Sequence, residues 1–245
     1  MTRNWREDKG TRRLKPYPKY KDSGVDSLGE IPAHWEVKKL KAASSLQTGI
    51  TLGKSYDSAR LETRPYLRVA NVQDGYLDLG DIAEIELPGD EVRRYELRAG
   101  DVLMTEGGDF DKLGRGYVWE EQVSGCLHQN HIFAVRPDQV KLHSHFLSSV
   151  LSSGYGRAYF TATSKQSTNL ASTNSTKLKN FPLPLPSRRE QEEILQFIAA
   201  ESQRPDRMGE RIGEAIDRLK ELRTALVSAA VTGKIDVREI RVDVD

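Results

Sequence analysis

The sequence is poor in cysteine, in long apolar runs and in catalytic motifs, and each shortage narrows what the chain can be. Its 245 residues include one cysteine, Cys126. No disulfide can form within the chain, which fits a reducing cytoplasm. No stretch is long and apolar enough to span a membrane as a helix. Residues 1–15 carry charges with no apolar segment behind them, so no secretory signal is expected. Neither the phosphate-cradling GxxxxGK[ST] loop nor the GxSxG nucleophile elbow occurs. There is no Asn/Asp-Pro-Pro-aromatic tetrapeptide of the kind adenine methyltransferases use, and no internal repeat. A strong excess of charge of one sign is also missing: the net charge is +1. Taken alone, this argues mildly against a dedicated nucleic-acid binder.

The distribution of charge says more than its sum. Residues 1–22 hold eight Lys/Arg against three acids, and residues 161–180 hold three lysines and no acid. With 37% apolar and 30% charged residues, the chain has the composition of a globular protein with a polar surface.

Residues 1–24 are basic, contain Pro and Gly and lack apolar periodicity, so they read as an extended N-terminal arm. From 35 to 140 the pattern is of short strands cut by turns. Examples are Pro65-Tyr-Leu-Arg-Val-Ala, the Gln73-Asp-Gly-Tyr turn, Asp101-Val-Leu-Met-Thr, Gly116-Tyr-Val-Trp and His131-Ile-Phe-Ala-Val. Residues 143–160 have helical spacing, with Phe146, Leu147, Val150 and Leu151 on one face. The polar stretch 161–180 reads as loop or short helical turns. In Phe181-Pro-Leu-Pro-Leu-Pro186 alternate prolines forbid a helix and favour an extended strap.

A helix from Ser187 onward is the clearest local signal. Ser187 can cap it, and Glu190 sits in its first turn, at the positive end of the dipole. Ile198, Glu201, Pro205, Met208, Ile212, Ala215, Leu219, Leu222 and Leu226 follow a three–four period, the spacing of a coiled-coil seam. Gly233 is a natural stop. Pro205 predicts a break or kink near 203–206, with a straighter helix over roughly 207–230. The fold class expected is α+β: one strand-rich mixed domain over 25–186, a long C-terminal coiled-coil helix over 187–233 and a tail over 234–245.

Four groups of residues could carry chemistry. Cys126-Leu-His128-Gln-Asn-His131 gathers three soft ligands. On a strand, 126 and 128 face one side and 131 the other, and no second cluster completes a zinc site, so no metal is expected. Asp26 with Glu36 and Lys38 has the residue types of a nuclease site, a coincidence common in a charged chain. The segment from Glu106 to Gly116 is a Gly-rich hairpin loop that lets backbone approach a ligand, with Lys112 and Arg115 within reach of a phosphate. Lys54 and Tyr56 lie in a second Gly-containing loop. Thr163-Ser-Lys-Gln-Ser-Thr-Asn169 offers amides, hydroxyls and an ammonium on a loop. Gln and Asn match adenine bidentately, and Lys reaches guanine or phosphate. The expected DNA-binding residues are therefore Lys54, Tyr56, Lys112, Arg115, Lys165, Gln166, Thr168 and Asn169. No catalytic residue is expected.

In their order, these segments resemble the specificity subunit of type I restriction–modification systems, in a half-length form. Tyr20-Lys-Asp-Ser-Gly-Val and Leu28-Gly-Glu-Ile-Pro-Ala-His-Trp-Glu-Val37 are similar to the signature that precedes a target-recognition domain. Tyr66-Leu-Arg-Val-Ala-Asn-Val-Gln-Asp-Gly75 and Gly100-Asp-Val-Leu-Met-Thr-Glu-Gly-Gly-Asp109 are similar to its strand motifs. Phe181-Pro-Leu-Pro-Leu-Pro with Glu190-Gln191, and Leu226-Val-Ser-Ala-Ala-Val-Thr-Gly-Lys-Ile-Asp236, resemble the two ends of its spacer helix. The sequence departs from the family pattern in three ways. It has one recognition domain and one spacer helix, Ser27 where the family often has Trp, and Pro205 in the seam.

The resemblance implies a non-catalytic subunit that reads half of a split double-stranded DNA target. Modification (methyltransferase) subunits would dock along the helix and bring S-adenosylmethionine, and a restriction subunit would bring ATP- and Mg-dependent translocation and cleavage. Met208, Ile212, Ala215, Leu219, Leu222 and Leu226 would form the helix interface with a second copy of the chain, as a homodimer, or with another specificity chain. Rival readings are an orphan interaction protein that binds modification subunits without productive DNA recognition, and an enzyme using the His/Cys cluster.

Overall fold

The computed structural model describes residues 15–51, 53, 60–108, 113–166 and 171–231, without the side chains of 166, 203–213 and 226–231. The chain divides into two units, 1–193 and 194–245.

The first unit begins with β1 (Tyr20–Asp22), β2 (Glu30–Pro32), β3 (Glu36–Lys39), β4 (Ser44–Thr48) and β5 (Glu62–Leu67). It continues with β6 (Ala83–Leu87), α1 (Gly89–Tyr95), β7 (Val102–Thr105), β8 (Gly107–Gly108), β9 (Gly116–Val118) and β10 (Leu127–His128). Then come β11 (Ile132–Pro137), α2 (Ser144–Ser152), α3 (Gly154–Thr163), β12 (Lys165–Gln166) and β13 (Ala171–Ser172). The last elements are α4 (Ser175–Lys179), β14 (Pro182–Leu185) and α5 (Arg188–Val231), which runs from the first unit into the second.

Two sheets carry the core. The larger is antiparallel in the order β4-β11-β7-β9, and the other runs β10-β5-β6 with β10 parallel to β5. In the larger sheet β11 is an inner strand, and its Ile132-Phe133-Ala134-Val135 run is buried throughout. A continuous apolar run is what a strand covered on both faces requires. Leu67, Val72, Leu97, Leu103, Trp119, Cys126, Ile132 and Ala134 form one core cluster. Ile50, Tyr66, Leu87, Val92 and Leu127 form another. The Gln73–Tyr76 turn closes on a Gln73 N–H to Tyr76 carbonyl bond of 3.1 Å, and Gly75 supplies its positive φ of 81°.

Several local expectations need correction. The 143–160 segment is two helices rather than one. The break falls at Ser153, whose hydroxyl accepts from Gly156 N and starts α3. The polar 161–180 stretch contains two short strands as well as α4. The proline strap is extended as expected, and it pairs as the strand β14, antiparallel to β3. With prolines at 182 and 184, Leu183 and Leu185 are the residues left to donate to that ladder. Phe181, buried beside Phe160, Tyr155 and Tyr159, anchors its start. Within the basic arm, Tyr20–Asp22 pairs with β2. Finally, α5 is helical through Pro205 with no break. A proline inside a helix forfeits one backbone bond and costs roughly 3 kcal/mol.

Candidate nucleic-acid interface

Three segments singled out separately in the sequence leave the fold from one connected set of backbone hydrogen bonds. After β4, Ile50 N donates to the His128 carbonyl at 2.9 Å, and Asn130 N donates to the Ile50 carbonyl at 3.0 Å. The chain passes so close here that a Cβ on Gly49 would overlap the His128 and Gln129 carbonyls. After β7, Glu106 N donates to the His131 carbonyl at 2.9 Å, and the Glu106 carbonyl accepts from Thr173 N at 2.8 Å. Next to it, β8, β13 and β12 form a three-stranded ribbon in which Gly107 faces Ser172 and Ser172 faces Lys165. Glycine suits position 107, where a Cβ would press to 3.1 Å from the Ala171 carbonyl. Ile50, Glu106–Gly108, Lys165–Gln166 and Ala171–Thr173 thus share one support with the 129–131 turn.

Of the residues expected at DNA, Lys54, Tyr56, Lys112, Thr168 and Asn169 lie outside the described residues. Lys165 is exposed and opens β12, and Gln166 follows it in the ribbon. Arg115 is half-buried, and its Nη1 donates to Gln73 Oε1 at 3.3 Å. That contact ties the Gly-rich loop to the Gln73–Tyr76 turn, where Gly75 N also donates to the Gly116 carbonyl at 3.3 Å. Tyr76 on that turn is exposed. Sequence reasoning missed the pairing of Glu106 with His131, whose Nδ1 lies 2.7 Å from Glu106 Oε2. His131 drew attention only as a metal ligand, and its partner stands 25 positions away.

The family model described as "Type I restriction modification DNA specificity domain" matches residues 32–203. The chain belongs to this family. Relatives include the Methanocaldococcus jannaschii protein named as the MjaX type I restriction enzyme specificity subunit, 26% identical over 70% of this chain and 40% of the relative. The StySPI specificity subunit of Salmonella potsdam is 26% identical over 69% of this chain and 37% of its own length. The EcoKI specificity subunit of Escherichia coli is 24% identical over 83% and 44%. The chain therefore spans less than half the length of these relatives. The HsdS subunit from Thermoanaerobacter tengcongensis shares the fold, with a TM-score of 0.55 at 19% identity over 88% of this chain and 48% of that one.

In this specificity domain, Cys126 and His128 belong to the interior. Burial pushes the Cys126 thiol up to about 12, a poor state for a metal ligand or nucleophile. His128 is fully buried, and burial brings its pKa down to about 4. Its Nδ1 donates to the Ile132 carbonyl at 3.0 Å, which leaves Nε2 to accept from Gln47 Nε2 at 3.4 Å. The ring ties β10 to β11 and supports the 129–131 turn.

The start of α5 is fastened to the same unit by two adjacent side chains. Glu190 accepts from Tyr17 Oη at 2.8 Å and Trp35 Nε1 at 3.0 Å, and pairs with His34 Nε2 at 3.0 Å. Burial pushes its carboxyl upward, but the hydrogen bonds from Trp35, Tyr17 and His34 outweigh it and hold the group below the usual carboxylate range. Gln191 is fully buried: its Oε1 accepts from His143 N at 2.8 Å, and its Nε2 donates to the Lys141 and Pro186 carbonyls at 2.8 and 3.0 Å. The Glu-Gln pair was legible as a helix start, but its partners Tyr17, His34, Trp35, Lys141 and His143, more than 40 residues away, were not.

Proposed function

We propose that this chain is the DNA-reading, non-catalytic component of a type I restriction–modification complex and that it works in the cytoplasm. The observation that supports this best is the shared support of the ribbon. It brings Lys165 and Gln166 together with Gly107, Gly108 and the 129–131 turn, so that separate sequence segments can read one stretch of DNA. In this reading Lys165, Gln166, Thr168 and Asn169 meet base edges, and Lys54, Tyr56, Lys112 and Arg115 meet the backbone. The α5 helix forms a coiled coil and docks modification subunits. S-adenosylmethionine, ATP and Mg belong to those subunits and to the restriction subunit.

The test is methylation and binding by the chain assembled with its modification subunits, on a library of duplexes. Gln166→Ala should cost about 1–3 kcal/mol on the preferred site and relax the base choice at one position. Arg115→Ala should weaken binding to all sequences and make the salt dependence shallower by about 0.9 per lost phosphate contact. Assembly with modification subunits but no sequence preference would make the chain an interaction protein instead.

A further inference from the structure

We infer that His131 reads a base through its Nε2 and that Glu106 is the residue that positions it. The inference rests on the DNA-recognition reading above. His131 closes the turn between β10 and β11, and its side chain is 56% exposed while that of Glu106 is 31% exposed. The two residues are joined twice. Glu106 Oε2 lies 2.7 Å from His131 Nδ1, and Glu106 N donates to the His131 carbonyl at 2.9 Å. The Glu106 carbonyl also accepts from Thr173 N, which fixes the pair to the β8-β13-β12 ribbon. A side chain held from the ring and from the backbone has already lost the freedom that a loose surface histidine would lose on binding.

The chemistry of the pair selects the partner. The Glu106 carboxylate accepts from Nδ1–H, and in the neutral form of the imidazole Nε2 is then the acceptor. Nε2 has no partner among the described residues. In that form it needs a donor. Phosphates and deoxyribose ring oxygens only accept, whereas in the major groove adenine N6 and cytosine N4 donate. The Glu106 carboxylate behind the ring also repels a phosphate. The contact that fits is the exocyclic amine of adenine or cytosine.

The experiment uses the full chain assembled with its modification subunits. Affinity and methylation are measured on the preferred duplex, on versions with each base pair changed in turn, and on unrelated DNA. His131→Ala should lower affinity for the preferred duplex ~10- to 100-fold. It should abolish discrimination at one position, where the preferred base carries an amine, and leave unrelated DNA bound as before. His131→Gln, which keeps an acceptor, should recover part of that discrimination, and Glu106→Ala should weaken it at the same position. A purely structural staple would change the melting temperature and no single base position. If the unaltered complex reads sequence and His131→Ala reads it identically, the inference is overturned and DNA recognition stands. If the unaltered complex shows no sequence preference, both fall.

Discussion

His128 shows how one residue couples the interior to the candidate interface. Its ring is enclosed and neutral, bridging Gln47 and the Ile132 carbonyl, one residue from the turn that carries Asn130 and His131. Burial lowers its pKa from 6.5 to about 4 in the folded chain. Between those values the unfolded chain binds a proton that the folded chain does not, so stability falls as pH drops from about 6.5 towards 4. At about 1.4 kcal/mol per pH unit the loss from this ring approaches ~3 kcal/mol. Denaturant unfolding at pH 7, 5.5 and 4.5 should show His128→Asn with a shallower acid decline than the unaltered protein. Parallel declines would mean that other groups carry the acid sensitivity. The alternation expected across 126–131 is absent, since Cys126, Leu127 and His128 are all buried and His131 lies beyond the two-residue strand, exposed. The side-chain partners Gln47 on β4 and Glu106 after β7 were not legible, because they are distant in sequence.

At the scale of elements, strands with an apolar pattern were legible and strands built from backbone contacts were not. Val102–Thr105 and Ile132–Val135 announce themselves by unbroken buried side chains. Gly107–Gly108, Lys165–Gln166 and Ala171–Ser172 have no such pattern, because tertiary pairing makes them strands. The most exposed weakness in the larger sheet is electrostatic. Asp101 is fully buried and accepts from Arg136 Nε at 2.7 Å and Nη2 at 2.6 Å, with Arg98 N adding a third bond at 2.9 Å. This fork joins the end of β11 to the start of β7. Arg136→Ala would strand a buried carboxylate and should cost about 3–5 kcal/mol in denaturant unfolding. Replacing both partners with apolar residues of similar volume should restore much of that loss. A cost for Arg136→Ala below ~1 kcal/mol would show that water or Arg98 N alone satisfies Asp101.

At the scale of the whole molecule, the described residues of the second unit leave an apolar face of α5 exposed. Ile216, Leu219 and Leu222 are 46%, 65% and 56% exposed on α5, and Ala215 is exposed beside them. Met208, Ile212 and Leu226 continue the same three–four period in the sequence. A leucine or isoleucine fully buried from water contributes roughly 1.5–3 kcal/mol. The stripe therefore favours a partner helix with the same spacing, and a second copy of this chain has it. A two-fold axis is the commonest solution for a self-complementary surface, and an antiparallel pair lets each seam cover the other. Two identical recognition domains related by a two-fold axis must read the same half-site in opposite orientations, and the methylated target should be an inverted repeat with a fixed gap. Sedimentation of the purified chain at micromolar concentration should give a dimer, and Leu219→Asp with Leu222→Asp should give a folded monomer that no longer directs methylation to paired half-sites. A wild-type monomer together with a non-palindromic methylated site would instead assign the stripe to the modification subunit, whose binding should then be what the aspartate pair abolishes.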